Sequence, residues 1–171
     1  MITFSTERDL AAYICDVTNG CAELTALLDA SNPVRRMQRG VSGGDFVNIL
    51  TYGRITRRRV RRESPGLYEF TVTFRPFIRG EAEASEMGDL ILSDVNEILF
   101  QLFDIEQAQV EGCSYPMRNM HVLRTEFDDF QTEPDFDHEW QAWTQDTRFR
   151  FTVAVPLCRP VTTWCDECVS T

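Results

Sequence analysis

Lysine is absent: all 17 basic residues of the chain are arginine. A GC-rich coding sequence is one source of such a bias. Arginine also suits interfaces, because its planar fork binds carboxylates through two hydrogen bonds and sheds water more readily than an ammonium group. Histidine is nearly absent too, the only two being His121 and His138. Neither sits beside a Ser or Cys in a recognisable nucleophile setting, and His121, in an apolar stretch, reads as a core or sheet-face residue. GxSxG, HExxH, Walker A and GxGxxG patterns are missing, which removes the sequence grounds for the hydrolase, zinc peptidase, P-loop and dinucleotide chemistries they carry. No apolar run reaches the roughly 18 residues that a membrane-spanning helix needs. The opening MITFSTERDL has no basic segment leading into an apolar stretch. A secretory leader is therefore not expected, and the chain is expected in the cytoplasm or in a particle assembled there.

Cysteine chemistry is thinly supported. Cys165 and Cys168 form a CxxC, with Cys158 upstream. Zinc takes four ligands, and the candidates for a fourth, Cys113, His121 and His138, are scattered; a single CxxC is a weak signal. Cys15, Cys21 and Cys113 read as small core residues, and cytosolic production argues against a disulfide framework. No metal, no cofactor and no catalysis are expected.

What the chain does have is apolar bulk and segregated charge. Its 171 residues fit one ordinary domain, and 43% hydrophobic residues with 12 Phe supply a core. The expected organisation is one α+β domain over residues 1–156 and a Cys-containing tail over 157–171. The formal net charge of −10 argues against general polyanion binding, yet six arginines crowd together at Arg54, Arg57, Arg58, Arg59, Arg61 and Arg62. Glu126, Asp128, Asp129, Glu133, Asp135, Asp137 and Glu139 form an opposite run with no basic residue among them.

Hydrophobic spacing predicts the elements. Leu10, Tyr13, Ile14 and Val17 recur at helical steps, predicting a helix over 6–17, with a second piece through Leu24, Leu27 and Leu28. Pro33 and the glycines at 40, 43 and 44 predict an irregular loop. FVNILTYGRI (46–55) predicts a strand continued by the Arg-rich stretch; Glu63-Ser-Pro-Gly66 turns it, and LYEFTVTFRPFI (67–78) returns as the second arm of a long hairpin. Residues 81–103 predict the main helix, with Ala84, Met87, Ile91, Val95, Ile98, Leu99 and Leu102 on its apolar face. MHVLRTEF (120–127) and RFRFTVAVP (148–156) predict strands, and 128–139 a loop or extended arm. The sum is an α+β fold: a mainly antiparallel sheet with a long hairpin, and one long helix and an N-terminal helix packed on one face.

Each charged run has a plain reading as a solvated surface. Paired carboxylates such as Glu126 with Asp128, or Asp135 with Asp137, lack the set separation around a cleft that hydrolysis needs. The arginines could neutralise phosphates, but no stacking aromatics are interleaved with them. A contact between copies uses both runs at once, the Arg hairpin of one meeting the acidic segment of the next, and head-to-tail contacts of that kind close into rings.

The order GGDFVNILTYGRITRR, then LYEFTVTFRPFIRGEAEASEMGDLI, then RFRFTVAVP resembles the tail terminator (neck terminator) proteins of long-tailed bacteriophages, as a pattern over residues 7–156. Phe46, Val47, Ile49 and Leu50 match the family's first core strand. Phe74, Phe77 and Gly80 match its strand-to-helix junction, and Phe151, Val153 and Val155 its last strand. The resemblance implies a ring, commonly of six copies, that caps the tail tube and presents a docking surface to the head connector within the virion, with no cofactor. It implies as partners further copies of the chain, the tail tube protein and a head–tail connector protein, with DNA passing through the lumen. The acidic insertion and the C-terminal cysteines depart from the pattern. The alternatives left open are another head-completion or adaptor component of the neck, an Arg-rich nucleic-acid-binding module, and an enzyme or metal-binding protein that uses the C-terminal cysteines.

Overall fold

In the computed structural model the structure describes residues 6–28, 34–36, 48–59, 66–81, 85–104 and 121–155. Helix α1 spans Thr6–Gly20 and α2 spans Ala22–Leu27. Strands β1 (Val34–Arg36), β2 (Asn48–Tyr52), β3 (Thr56–Arg59) and β4 (Leu67–Arg79) precede α3 (Ser85–Phe103). Strands β5 (His121–Gln131), β6 (Asp135–Asp137), β7 (Ala142–Thr144) and β8 (Thr147–Ala154) follow it. Helices plus one large, mainly antiparallel sheet make the α+β fold expected from the sequence; among the described strands only β1 pairs in parallel, with β2.

The sheet is organised around β4, whose 13 residues alternate between the helix layer and the opposite face. One edge of β4 pairs with β3 low on the strand and with β2 high on it. The other edge pairs with β8 low and β7 high. Strand β5 lies outside β8, and β6 outside β7. The long hairpin is therefore present, but its first arm is broken. Register moves from Tyr52↔Phe74 to Thr56↔Thr71, four steps on one strand against three on the other. That is a one-residue bulge at 53–55, and it exchanges the faces that the following arginines present.

Backbone directions follow from three bonds. The Gly53 N–H donates to the Thr73 carbonyl (2.8 Å), so odd-numbered β4 residues turn their amides toward β2 and β3. Val155 N–H to Gly66 carbonyl (2.7 Å) and Gly80 N–H to Gln141 carbonyl (3.4 Å) put the even-numbered residues toward β7 and β8. Pro76 is even-numbered and has no N–H to give. Its register partner across the sheet is Gln145, and there β7 and β8 part although both keep the same register on β4. The missing donor accounts for the break.

The three described helices cover one face. Leu10 and Ile14 of α1, Leu24 of α2, and Leu92, Val95, Leu99 and Phe103 of α3 join one buried cluster with Phe70, Val72, Phe74, Phe149, Phe151 and Val153 of the sheet. Phe149 stands at its centre, its ring 5.6–6.1 Å from those of Phe74, Phe100, Phe103 and Phe127. A smaller cluster of Ile49, Phe77 and Ala142, with Trp140 against it, occupies the opposite face. The buried line of α3 runs through Gly88, Leu92, Val95, Asn96, Leu99 and Phe103, so the sequence reading of that face is shifted. Ile91, Ile98 and Leu102 flank it rather than centre it, and Ala84 lies outside the described residues. The reason is visible at Gly88, where a Cβ would lie 2.4 Å from Cδ1 of Trp143: the helix approaches β7 closely along its glycine side.

The acidic stretch is also corrected. Residues 128–131 continue β5 and 135–137 form β6, so most of it is sheet rather than a loop or arm. Asp129 (φ 47°) sits in the irregularity between Phe127 and Gln131 that lets a strand carry these extra residues.

Candidate functional site

The two charged runs occupy opposite margins of the sheet. Among the described residues strand β3 pairs with β4 alone, and β5 and β6 form the far side beyond β8 and β7. On the basic margin, Arg54 is exposed in the link between β2 and β3. Arg57 falls on the helix side opposite Phe70; its Nε lies 3.5 Å from Glu7 of α1 and its guanidinium 5.3 Å from the Tyr68 ring centre. Arg58 is exposed on the other face, opposite Glu69. Arg59 pairs in register with Tyr68. Arg61 and Arg62 lie outside the described residues.

On the acidic margin Asp128, Asp129, Asp135 and Asp137 divide by what they already hold. Asp128 is bound within the chain, forming a hydrogen-bonded ion pair with Arg150, whose other nitrogen lies 3.3 Å from Glu126. The hydrogen bond to Asp128 raises the Arg150 pKa above its ordinary value, against partial burial. Glu126 also pairs with Arg124 at 2.5 Å. Asp137 accepts the Glu139 and Trp140 amides (2.9 and 3.1 Å) and so shapes the β6–β7 turn. Asp129 and Asp135 are exposed, as are Glu133 and Glu139. The outward acidic surface is therefore narrower than the sequence run, and centres on 129–139.

Edge strands carry unpaired amides that invite pairing with another chain. Along β5 the amide of Phe127 points outward, since Glu126 pairs with Arg150 of β8 in the inward register, and it donates to Asp104 just beyond α3 (3.1 Å). Along β6 the outward amide is that of Phe136, and it donates to the side chain of Asp135 (2.9 Å). A carboxylate thus occupies one outward amide on each of the two acidic strands. Along β3 the outward amides are those of Arg57 and Arg59, and among the described residues no strand covers them.

A polar cleft of about 340 Å³ opens between α3 and the start of β8, lined in part by Asp89, Asn96, Glu97, Phe100 and Gln145. Its floor is occupied by internal bonds. Asn96 donates to Gln145 (2.5 Å) and accepts from Thr147 (2.9 Å), and Gln145 donates to the Thr132 carbonyl (2.6 Å). This network ties the helix to the strand break; it has the character of a structural joint, not of a reaction site. None of these residues stood out in the sequence, where an Asn in a helix or a Thr in a strand gives no signal of a partner many residues away.

Among the described residues no group of His, Cys, Asp and Glu is placed to hold a metal ion. Cys15 and Cys21, read from the sequence as small core residues, are half-buried and pack against the core rather than within it. His138 is exposed, its ring 5.2 Å from Phe136. His121 begins β5, and Cys113, Cys158, Cys165, Cys168 and the whole of 157–171 lie outside the described residues. No helix is long and apolar enough to cross a membrane among those described.

Of the positions matched to the terminator pattern, Ile49 and Leu50 are buried in β2, Phe74 and Phe77 in β4, and Phe151 and Val153 in β8. Gly80 directly follows β4 and Val155 directly follows β8; Phe46 and Val47 lie outside the described residues. Set against protein-family models and against curated proteins, the chain matches none.

Proposed function

We propose that the protein is a structural component of the tail–neck region of a long-tailed bacteriophage, a homo-oligomeric ring that ends the tail tube and offers the docking face for the head. The observation that carries this reading is the placement of opposite charge on opposite margins of one sheet, arginines on β3 and carboxylates along β5 and β6. Such a subunit repels its own copies edge to like edge and attracts them head to tail. A repeated head-to-tail contact whose rotation closes gives a ring, and one that does not close gives a filament.

The order of elements supports the terminator assignment within that class: N-terminal helix, long hairpin, strand into long helix, and a last strand of alternating apolar residues. The work of such a ring is geometric. It seats on the last layer of tube protein, blocks the next layer, and leaves its other face for the connector, with DNA passing through the lumen.

The experiment is assembly of tail tube protein in the presence and absence of the purified chain. Tubes that stop growing, with the chain bound at one end only, support the reading. Tubes whose length and ends are unaffected contradict it. A salt-dependent shift of DNA by the isolated chain, with no effect on tubes, favours the nucleic-acid alternative instead.

A further inference from the structure

We propose that the subunit contact is a strand addition, in which β6 of one copy pairs antiparallel with the open edge of β3 in the next, Arg57 opposite Phe136 and Arg58 opposite Asp135. This rests on the ring reading and specifies its seam. Three features of the structure converge on that register.

Direction comes first. Along the row β3, β4, β7, β6 each neighbouring pair is antiparallel where the strands meet, so β6 runs opposite to β3. A second copy added beyond β6 by its β3 continues the alternation without turning the sheet over.

Hydrogen-bond parity comes second. On β3, Thr56 and Arg58 face the odd-numbered β4 residues Thr71 and Glu69, so they are turned inward and Arg57 is turned to the open edge. On β6, Asp135 and Asp137 are turned toward β7 and Phe136 outward. Arg57 and Phe136 are the outward residues of the two strands, and opposing them lets each give its N–H to the other's carbonyl. The Arg58–Asp135 pair then falls at the neighbouring position where side chains approach most closely.

Side-chain chemistry comes third. Arg58 lies on the face away from the helices, as does Asp135, whose register partner Thr144 faces Phe77. Both are exposed. Phe136 falls on the helix side, the side on which Arg57 already lies over an aromatic ring, that of Tyr68. Asp135 must give up the Phe136 amide to bind Arg58, and the Arg57 carbonyl replaces it there. Strand β5 is a poorer partner: Glu126 and Asp128 are held by Arg150, Asp104 occupies the Phe127 amide, and Arg124 adds a like charge.

The test measures the native mass of the full chain by light scattering after size exclusion, for wild type, Arg58→Asp, Asp135→Arg and the double exchange. Each single reversal is expected to weaken association by about tenfold or more, and the double exchange to restore it. Far-UV circular dichroism checks that each variant folds. In the wild type, hydrogen exchange at the Arg57 and Phe136 amides is expected to slow on assembly. If wild type assembles while the single reversals assemble equally well and those amides exchange unchanged, the seam is wrong and the ring reading stands. If wild type stays monomeric at every concentration and with tube ends, the ring reading itself fails and takes the seam with it.

Discussion

Arg75 and Asp146 face one another across β4 and the gap between β7 and β8, joined by two parallel hydrogen bonds, the Nη2–Oδ2 bond measuring 2.5 Å. The pair stands beside the place where Pro76 withholds an amide from the ladder, and it fastens the sheet there by side chains. The hydrogen bond to Asp146 raises the Arg75 pKa above its ordinary value, against the cost of partial burial. Asp146 is also held from behind, its amide donating to the Thr132 hydroxyl (2.9 Å) and its carbonyl accepting the Thr132 amide (2.9 Å).

Asp146→Ala is therefore expected to destabilise the fold by about 1–3 kcal/mol, the range for losing a charge-assisted hydrogen bond at a partly buried site. Urea unfolding measures it. A double-mutant cycle with Arg75→Ala should return a coupling of about 0.5 kcal/mol or more, and additive effects would deny the pairing.

Gly88→Ala places a methyl group 2.4 Å from the Trp143 ring. The ring also packs edge-on against Phe136, at 5.3 Å, and its Nε1–H donates to the Glu81 carbonyl (3.2 Å). The expected cost is about 1–3 kcal/mol, the range for overpacking, accompanied by a change in tryptophan fluorescence. An unchanged melt and emission spectrum would mean that helix and strand are not in contact there.

Phe149→Ala removes the ring that four other rings surround. A loss of about 3–5 kcal/mol is expected for emptying such a site. Phe130→Ala, whose ring lies 4.0 Å from the Arg148 guanidinium at a half-buried edge position, should cost clearly less. Thermal melts of the two variants give the comparison.

Burial raises the Cys15 thiol above its ordinary value of 9.0, with a hydrogen bond to Tyr52 opposing and Asp16 adding to the rise. A pKa raised by folding favours the protonated, folded state. That contribution is fully present below the unfolded thiol's pKa and is lost as pH climbs through the folded one. Stability of the wild type should accordingly fall more steeply above pH 9.0 than that of Cys15→Ala. The difference between the two alkaline denaturation curves isolates this one thiol from the others.

The alternating strands were legible because burial follows the pleat: Tyr68, Phe70, Val72 and Phe74 against Glu69, Thr71 and Thr73, and Phe149, Phe151 and Val153 against Arg148, Arg150 and Thr152. The helices were legible from Leu10, Ile14, Val95 and Leu99. What escaped were features set by distant partners. The bulge at 53–55 and the break opposite Pro76 depend on registers that no local pattern encodes. The true face of α3 depends on Trp143, which is 55 positions beyond Gly88. The charged runs were visible as composition, but which carboxylates are engaged within the chain was not: Asp128 and Asp135 read alike in sequence, and only pairing separates Asp128 on Arg150 from Asp135 on a neighbouring amide.

Head-to-tail assembly through oppositely charged sheet margins is tested by native mass spectrometry across protein concentration and ionic strength. A closed oligomer of one discrete mass is expected, dissociating as salt rises, since screening weakens an exposed charged seam. A chain that remains monomeric at low salt and high concentration, alone and beside tube ends, would contradict it.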